Sequence, residues 1–185
     1  MEKGVLLETK RLVLKILTEA DTSEVLEYYL RNKNYLSNWE PVRDKEFYTL
    51  TYQQSQIANE LILMREGRLF KVWISEKGDN SLIGSVALNN IVLGAFQSCH
   101  LGYKLDEQKI NKGYMTEALN EVIEYAFNEL QLHRIEANIM PNNLPSIRVV
   151  EKLGFYNEGL AIKYLKINGR WEDHIHMVLR NVAME

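Results

Sequence analysis

Cysteine occurs once in the 185 residues, at Cys99, so an internal disulfide and a cysteine-cluster metal site are both excluded. No strong excess of basic charge is present. The formal net charge is −3, which argues against a nucleic-acid binder that relies on neutralising phosphates. A mildly acidic chain is compatible with a cationic substrate. No apolar run approaches the length of a membrane span, and the opening MEKGVLLETKR lacks the apolar core of a signal peptide. The expectation is a cytoplasmic protein with no membrane partner. Internal repeats, linkers and low-complexity stretches are also missing, so residues 1–185 are expected to form one domain.

What is there is ordinary for a folded domain: 46% hydrophobic and 25% charged residues. Its organising stretch is NKGYMTEALNEVIEYAFNEL, Asn111 to Leu130. Met115, Ala118, Leu119, Val122, Ala126 and Leu130 recur at three- and four-residue steps and predict the apolar face of a long helix. Glu117, Glu121, Glu124 and Glu129 mark the wetter side. A strand-like segment, Cys99 to Leu105, lies just upstream. A loop of glycine, lysine and asparagine between a strand and a helix N-terminus suits phosphate, because the first helix amides lack carbonyl partners and the dipole favours negative charge. Gly113 would let the backbone approach a ligand closely. The same glycine also reads as a simple turn.

Along the chain, Lys10 to Leu17 alternates and predicts a strand. Thr18 and Asp21 have capping-box spacing before a helix with Val25, Leu26, Tyr29 and Leu30 as its buried stripe. In the loop from Asn34 to Asp44, Tyr35, Leu36 and Trp39 read either as anchors packed on the domain or as one wall of a substrate cleft. A second helix runs from Phe47 to about Glu66. Strands Leu69 to Ser75, Ser81 to Leu88 and Ser98 to Leu105 predict an antiparallel meander, with Asn89, Asn90 and Gly94 in a loop. After the central helix come a strand from His133 to Met140, a short helix from Ser146 to Leu153, and strands Ala161 to Ile167 and Trp171 to Leu179. Asn168-Gly169 joins the last two as a hairpin. The order predicts one mixed α/β domain.

The strand, phosphate loop and helix, followed by NNLPSIRVVEKLGF (Asn142 to Phe155), resemble the GNAT acetyltransferases. WEPVRD (Trp39 to Asp44), LGYKLDEQKINKGYMTEAL (Leu101 to Leu119), HRIEANIMPNN (His133 to Asn143) and YLKINGRWEDH (Tyr164 to His174) are similar to the RimJ/RimL type, the ribosomal-protein S5 alanine N-acetyltransferases. The resemblance implies a GNAT acyl-CoA N-acyltransferase fold, a twisted, mostly antiparallel sheet of about seven strands flanked by helices. It implies acetyl-CoA as cosubstrate and direct attack by a protein N-terminal α-amine through a tetrahedral intermediate, with ribosomal protein S5, alone or in ribosomal particles, as partner. The alternatives are another amine acceptor (a lysine side chain, a polyamine or an antibiotic) and a non-catalytic ribosome-assembly factor. Monomer and homodimer both stay open.

The resemblance also implies the site residues. The pantetheine arm would pair with the backbone near Tyr103, Lys104 and Leu105. The diphosphate would meet Ile110, Asn111, Lys112, Gly113, Tyr114, Met115 and Thr116. Ile110 stands where the family pattern has Gln or Arg, and Met115 where it has Gly or Ala. Ile110 is therefore expected to weaken cofactor affinity, while Met115 needs only its amide. An amide near Tyr103 would polarise the thioester carbonyl. Ser146 would be the acid beside the cofactor sulfur, or a helix N-cap, or both. Asn143 would bond the pantetheine arm or cap its own loop. Tyr164 is a third donor candidate, or a packing aromatic. An α-amine has a pKa of about 7.7–8, so proton removal needs only modest help. Glu40, His100 and Glu136 are the candidate helpers. Their plain readings are a solvated loop charge, a half-buried strand residue and a salt-bridge partner. Cys99 reads as a core thiol, and Arg11 and Lys15 as the polar face of the first strand. His174 and His176 share one strand face without a third metal ligand in sight.

Overall fold

The computed structural model describes residues 5–185. In chain order the elements are β1 (Val5–Glu8), β2 (Leu12–Lys15), α1 (Thr22–Leu36), α2 (Leu50–Arg65), β3 (Leu69–Glu76), β4 (Leu82–Val92), β5 (Ser98–Leu105), α3 (Tyr114–Asn128), β6 (Arg134–Ile139), α4 (Leu144–Lys152), β7 (Tyr156–Ile167) and β8 (Arg170–Arg180). The strands form one eight-stranded sheet in the order β1-β2-β3-β4-β5-β6-β8-β7. Every pairing is antiparallel except β5 with β6. That is the mixed α/β, mostly antiparallel architecture expected, with eight strands instead of about seven. The added strand is β1. Its sequence, VLLE, lacks the alternation that marks a half-buried strand, so periodicity does not find it.

Two cores clamp the sheet. On one face α3 and α4 cover Phe70, Val72, Val86, Leu101 and Ile135; Met115, Ala118, Leu119, Val122 and Ala126 of α3 are all buried there. On the other face α1 and α2 pack Val25, Tyr28, Tyr29, Phe47 and Ile57 around Trp73. Tyr28 and Tyr29 meet Trp73 edge-on at 5.3 and 5.8 Å between centroids, a favoured aromatic geometry. The stripe of α1 differs from the one expected: Tyr28 is fully buried, while Leu30 is 51% exposed. Large aromatics, not the next leucine, fill the space above Trp73.

Several boundaries moved for identifiable reasons. Asn34 to Leu36 belong to α1, not to the following loop. The Asp21 carboxylate accepts from the Thr18 amide at 2.8 Å and the Thr18 hydroxyl at 3.0 Å, but the box opens a short 3-10 turn that runs into α1. Asn89 and Asn90 lie inside β4, where a bulge absorbs the φ of 51° at Asn90. β7 starts five residues earlier than expected and is an edge strand with two irregularities, at Gly159 and Lys163, which an edge tolerates. The Asn168-Gly169 turn forms as expected, with φ of 43° and 80°.

Candidate active site

The one parallel pairing creates the site. β5 and β6 bond only at Ser98↔Arg134, Cys99↔Ile135 and His100↔Glu136. Beyond His100, β5 stays with β4 and β6 stays with β8, so a wedge opens between them. The Asp106 amide donates to the Ile83 carbonyl at 2.7 Å. By the alternation of an antiparallel ladder, Lys104 and Gly102 then bond toward β4, while the amides and carbonyls of Leu101, Tyr103 and Leu105 face the wedge. The backbone of Lys104, grouped with them in the sequence reading, faces β4 instead.

The wedge leads to the loop before α3. Asp106 anchors its start: the carboxylate accepts from Arg31 Nε at 2.7 Å, from Asn32 Nδ2 at 3.1 Å and from the Gln108 amide at 2.9 Å. Burial raises the Asp106 carboxyl, but Arg31 and these bonds outweigh it and hold it below its usual value. Asn111 and Gly113 then take left-handed backbone, with φ of 61° and 77°. Among the described residues, no group accepts from the amides of residues 111–116. The Met115 side chain is buried in the core, so only its amide is available to a ligand. Tyr114 is turned away as well, donating to Glu76 Oε2 at 2.6 Å, and Lys109 also pairs with Glu76. Ile110 is 38% exposed, and Lys112 is exposed beside it.

Arg11 proves to be more than a strand-face charge. Its guanidinium donates to the Lys112 carbonyl at 2.9 Å, binds Glu117 at 2.6 Å and lies 4.5 Å over the Tyr114 ring. Glu117, expected on the wet side, also accepts from the Arg11 amide at 2.9 Å and from the Thr9 hydroxyl. The turn between the first two strands, which carries Thr9 and Arg11, thus braces the loop. Sequence reasoning missed this because the two partners lie 106 residues apart.

Under the wedge, on the α3 and α4 side, Tyr103 Oη and Ser146 Oγ are 2.6 Å apart, and the Tyr103 hydroxyl lies 3.0 Å from the Ser146 carbonyl. Burial pushes the Tyr103 phenol up to about 12, so it keeps its proton at neutral pH. The cap of α4 is Asn143, whose Oδ1 accepts from the Ser146 amide at 3.3 Å. Ser146 itself is the third residue of the helix, which corrects its reading as the N-cap and frees its hydroxyl for Tyr103.

The base candidates lie on the opposite face. Glu40 binds Lys104 through one oxygen and Arg43 through the other, at 3.4 Å. Burial raises its carboxyl, but those two cations outweigh it and hold it below the usual range. It is not the solvated loop charge of its plain reading. His100 and Glu136 do come together, with Nε2 3.5 Å from Oε1. Glu136 also binds Arg134 at 3.0 Å and His176 Nδ1 at 2.9 Å. Tyr164 stacks edge-on against His176, at 5.0 Å between centroids. Cys99 is a buried core thiol, pushed up to about 12 by burial. A cleft of about 220 Å³ opens beside Lys104, lined by Tyr29, Lys33, Glu40, Arg43, Tyr48 and Asn168 among others. Leu36 reaches it, while Tyr35 and Trp39 do not.

A parallel strand pair that splays beside a row of free amides is the arrangement that the resemblance to the GNAT acetyltransferases implies. The family model for the acetyltransferase (GNAT) domain matches residues 11–156, and the chain belongs to that family. It is 39% identical over 176 residues to a probable N-acetyltransferase, YjcK, of Bacillus subtilis, covering 95% of this chain and 97% of the relative. It is 35% identical over 171 residues to the Escherichia coli [ribosomal protein uS5]-alanine N-acetyltransferase, covering 92% and 88%. The solved Mycobacterium smegmatis RimJ in complex with CoA-disulfide superposes with a TM-score of 0.88 at 29% identity, over 94% of this chain and 83% of that one. The protein is an acetyl-CoA-dependent N-acetyltransferase of the RimJ/RimL type.

Proposed function

We propose that the protein acetylates the N-terminal α-amine of a protein, with the alanine of ribosomal protein S5 as the favoured acceptor. The observation that carries this reading is the wedge. It offers strand backbone at Tyr103 and Leu105, free amides at residues 111–116, and a hydroxyl pair between them. These groups fit acetyl-CoA: an amide-bearing arm can add to the open edge of β5, and a diphosphate suits unpaired helix amides beside Lys112. When bound, acetyl-CoA supplies the thioester acetyl group. The Tyr103 amide is the donor for its carbonyl oxygen, and the Tyr103–Ser146 pair donates toward the departing sulfur. A phenol held at about 12 serves here as a hydrogen-bond donor and not as a base. Asn143 is reserved by its cap, with its Nδ2 left for the arm.

The acceptor would enter from the α1 and α2 side, over the cleft at Tyr29 and Glu40. A protein α-amine is partly neutral at pH 7 and so needs little help to react, unlike a lysine amine near pKa 10.4. Lys33 and Arg43 on the wall of that cleft outnumber its one carboxylate, Glu40, which is itself paired with Lys104, and so disfavour a polycationic acceptor. The test is mass spectrometry of ribosomal proteins from a deletion strain. Loss of the acetyl group from the S5 N-terminus is expected, and an unchanged acetylated S5 would refute the acceptor.

A further inference from the structure

The face of the wedge toward α1 and α2 carries a second arrangement, which that reading leaves unused. Alternation along β6 puts Arg134, Glu136 and Asn138 on this face, since Ile135, Ala137 and Ile139 enter the core under α3 and α4. His176 of β8 is the register partner of Asn138, so the two side chains stand next to each other. On β5 the residue at the same level is Gly102, which places no side chain there.

The hydrogen bonds determine which nitrogen is available. Glu136 is ionised: burial raises it, but the bonds from Arg134 and His176 outweigh that. A carboxylate only accepts, so His176 Nδ1 carries a proton at 2.9 Å from Oε1, and in the neutral imidazole the lone pair is on Nε2. His100 has no such lone pair. Asn90 Nδ2 donates to its Nδ1 at 3.2 Å, which leaves the proton on Nε2, facing Glu136. His174 bonds its own Nδ1 to the Glu172 carbonyl at 3.0 Å and is only 3% exposed. The His176 side chain is 25% exposed. Beside it, Asn138 Oδ1 is buried and has no hydrogen-bond partner among the described residues. An unpaired buried acceptor is costly and uncommon, and turning the carboxamide toward a donor would relieve that cost.

We propose that His176 Nε2 is the base that deprotonates the acceptor amine, that Glu136 orients the imidazole, and that Asn138 Oδ1 receives the amine's other N–H. Two acceptors side by side match the two N–H groups of a primary amine. The ammonium form of the amine gives one proton to Nε2, and the neutral nitrogen then bonds the thioester carbon. The carbon–sulfur bond breaks with its electron pair on sulfur. The sulfur takes a proton through the Tyr103–Ser146 hydroxyls, which recover it by way of solvent as the nitrogen loses its second proton, and His176 releases its own to solvent, so the step balances. The assignment rests on the reading of this site as an amine acetyltransferase, but not on which amine is acetylated.

The test measures thiol release by the purified protein with acetyl-CoA and three acceptors: an alanine-initiated peptide, an N-blocked peptide with one lysine, and spermidine. His176→Gln, with His176→Asn as a second variant, is expected to lower kcat on the best acceptor about 100-fold at pH 7. The KM for acetyl-CoA and the thermal midpoint should stay at wild-type values. The deficit should shrink toward pH 9, where solvent has already deprotonated an α-amine of pKa about 8. The groups facing His176 that share this profile are Glu136 and Arg134 on β6, His100 on β5, His174 on β8 and Tyr164 on β7. Glu136→Gln should give a partial loss with the same narrowing. Asn138→Leu should raise the amine KM and leave that for acetyl-CoA alone. Full activity in both His176 variants, or a deficit on the alanine peptide equal at every pH, overturns the assignment even if the alanine peptide is the preferred acceptor. Conversely, preference for spermidine or lysine sinks the α-amine reading, while a slow His176→Gln on that amine upholds the base. No thiol release with any acceptor overturns both.

Discussion

Gly113→Ala isolates the backbone contribution to cofactor binding. Gly113 caps α3 at φ 77°, and a Cβ built there would meet Arg11 Nη2 at 3.5 Å, an ordinary contact. Crowding therefore adds little, and the cost is the left-handed strain of an L-residue, about 1–2 kcal/mol. For a chain of this size that corresponds to roughly 2–8 °C in Tm. The larger effect should fall on acetyl-CoA. If relief of strain turns the loop so that one amide leaves the phosphate, a charge-assisted bond of about 1.5–3 kcal/mol goes with it. That is about 10- to 100-fold in Kd, read by calorimetric titration. Asn111→Gly is the control. It removes a non-glycine residue from φ 61° and should leave both Tm and Kd near wild type. Wild-type affinity in Gly113→Ala, with the Tm loss present, would refute the argument that backbone amides here hold the diphosphate. An equal loss of affinity in Asn111→Gly would refute it too, since that change adds no strain.

Ser146→Ala should lower kcat with less than about 1 kcal/mol lost in stability, because Tyr103 still lies in reach of the Ser146 carbonyl and Asn143 still caps α4; chemical denaturation separates the two effects. Asn143→Ala should do the reverse on stability, costing about 1 kcal/mol as a lost cap. Ile110→Gln restores the polar side chain of the family pattern and should tighten acetyl-CoA binding; an unchanged titration would mean that the amides alone set the affinity. Glu158 is held down to about 2, first by its bond from Arg134, so its contribution to stability is complete above the ordinary glutamate pKa and is lost as pH falls through about 2. Because Glu158 is 37% exposed, solvent screens the pair, and Glu158→Gln should flatten the acid limb of a Tm-against-pH curve only slightly.

The parts of the site that depend on local pattern could be read from the sequence. β5 runs from Ser98 to Leu105 as expected, α3 buries the anticipated stripe, and the Asn168-Gly169 turn has the backbone its dipeptide demands. What escaped were pairings between residues distant in sequence. Arg11 looks like any strand-face cation until Glu117 and the Lys112 carbonyl are brought to it. Glu40 and Lys104 lie 64 residues apart, and nothing local marks either as the other's partner. The Glu136–His176 bond spans 40 residues, so the sequence shows the histidines at 174 and 176 sharing a strand face but not that His176 has a carboxylate partner on the neighbouring strand. The Ser146 cap failed for a different reason. Asn143 and Ser146 are both good capping residues, and only the helix start at Leu144 decides between them.

The two faces of the wedge place different demands on sequence. Toward α3 and α4, acetyl-CoA would meet strand backbone and helix amides, so substitutions such as Ile110 and Met115 can leave the essential donors in place. Toward α1 and α2, the groups are side chains held by other side chains: Lys104 on Glu40, Glu40 on Arg43, His176 on Glu136, Glu136 on Arg134. The loop that carries Glu40 is itself tied to the β7–β8 turn by the Asn168 amide, which donates to the Glu40 carbonyl at 3.0 Å. A change of acceptor therefore requires changes in that loop and that turn together, while the cofactor half can stay as it is. Exchanging residues 37–45 alone should lower stability and amine turnover while leaving acetyl-CoA affinity intact; exchanging them together with the 168–169 turn from the same relative should recover the stability. A single-loop exchange that moves acceptor preference at undiminished Tm would show that the two segments are independent, contrary to the bond between them.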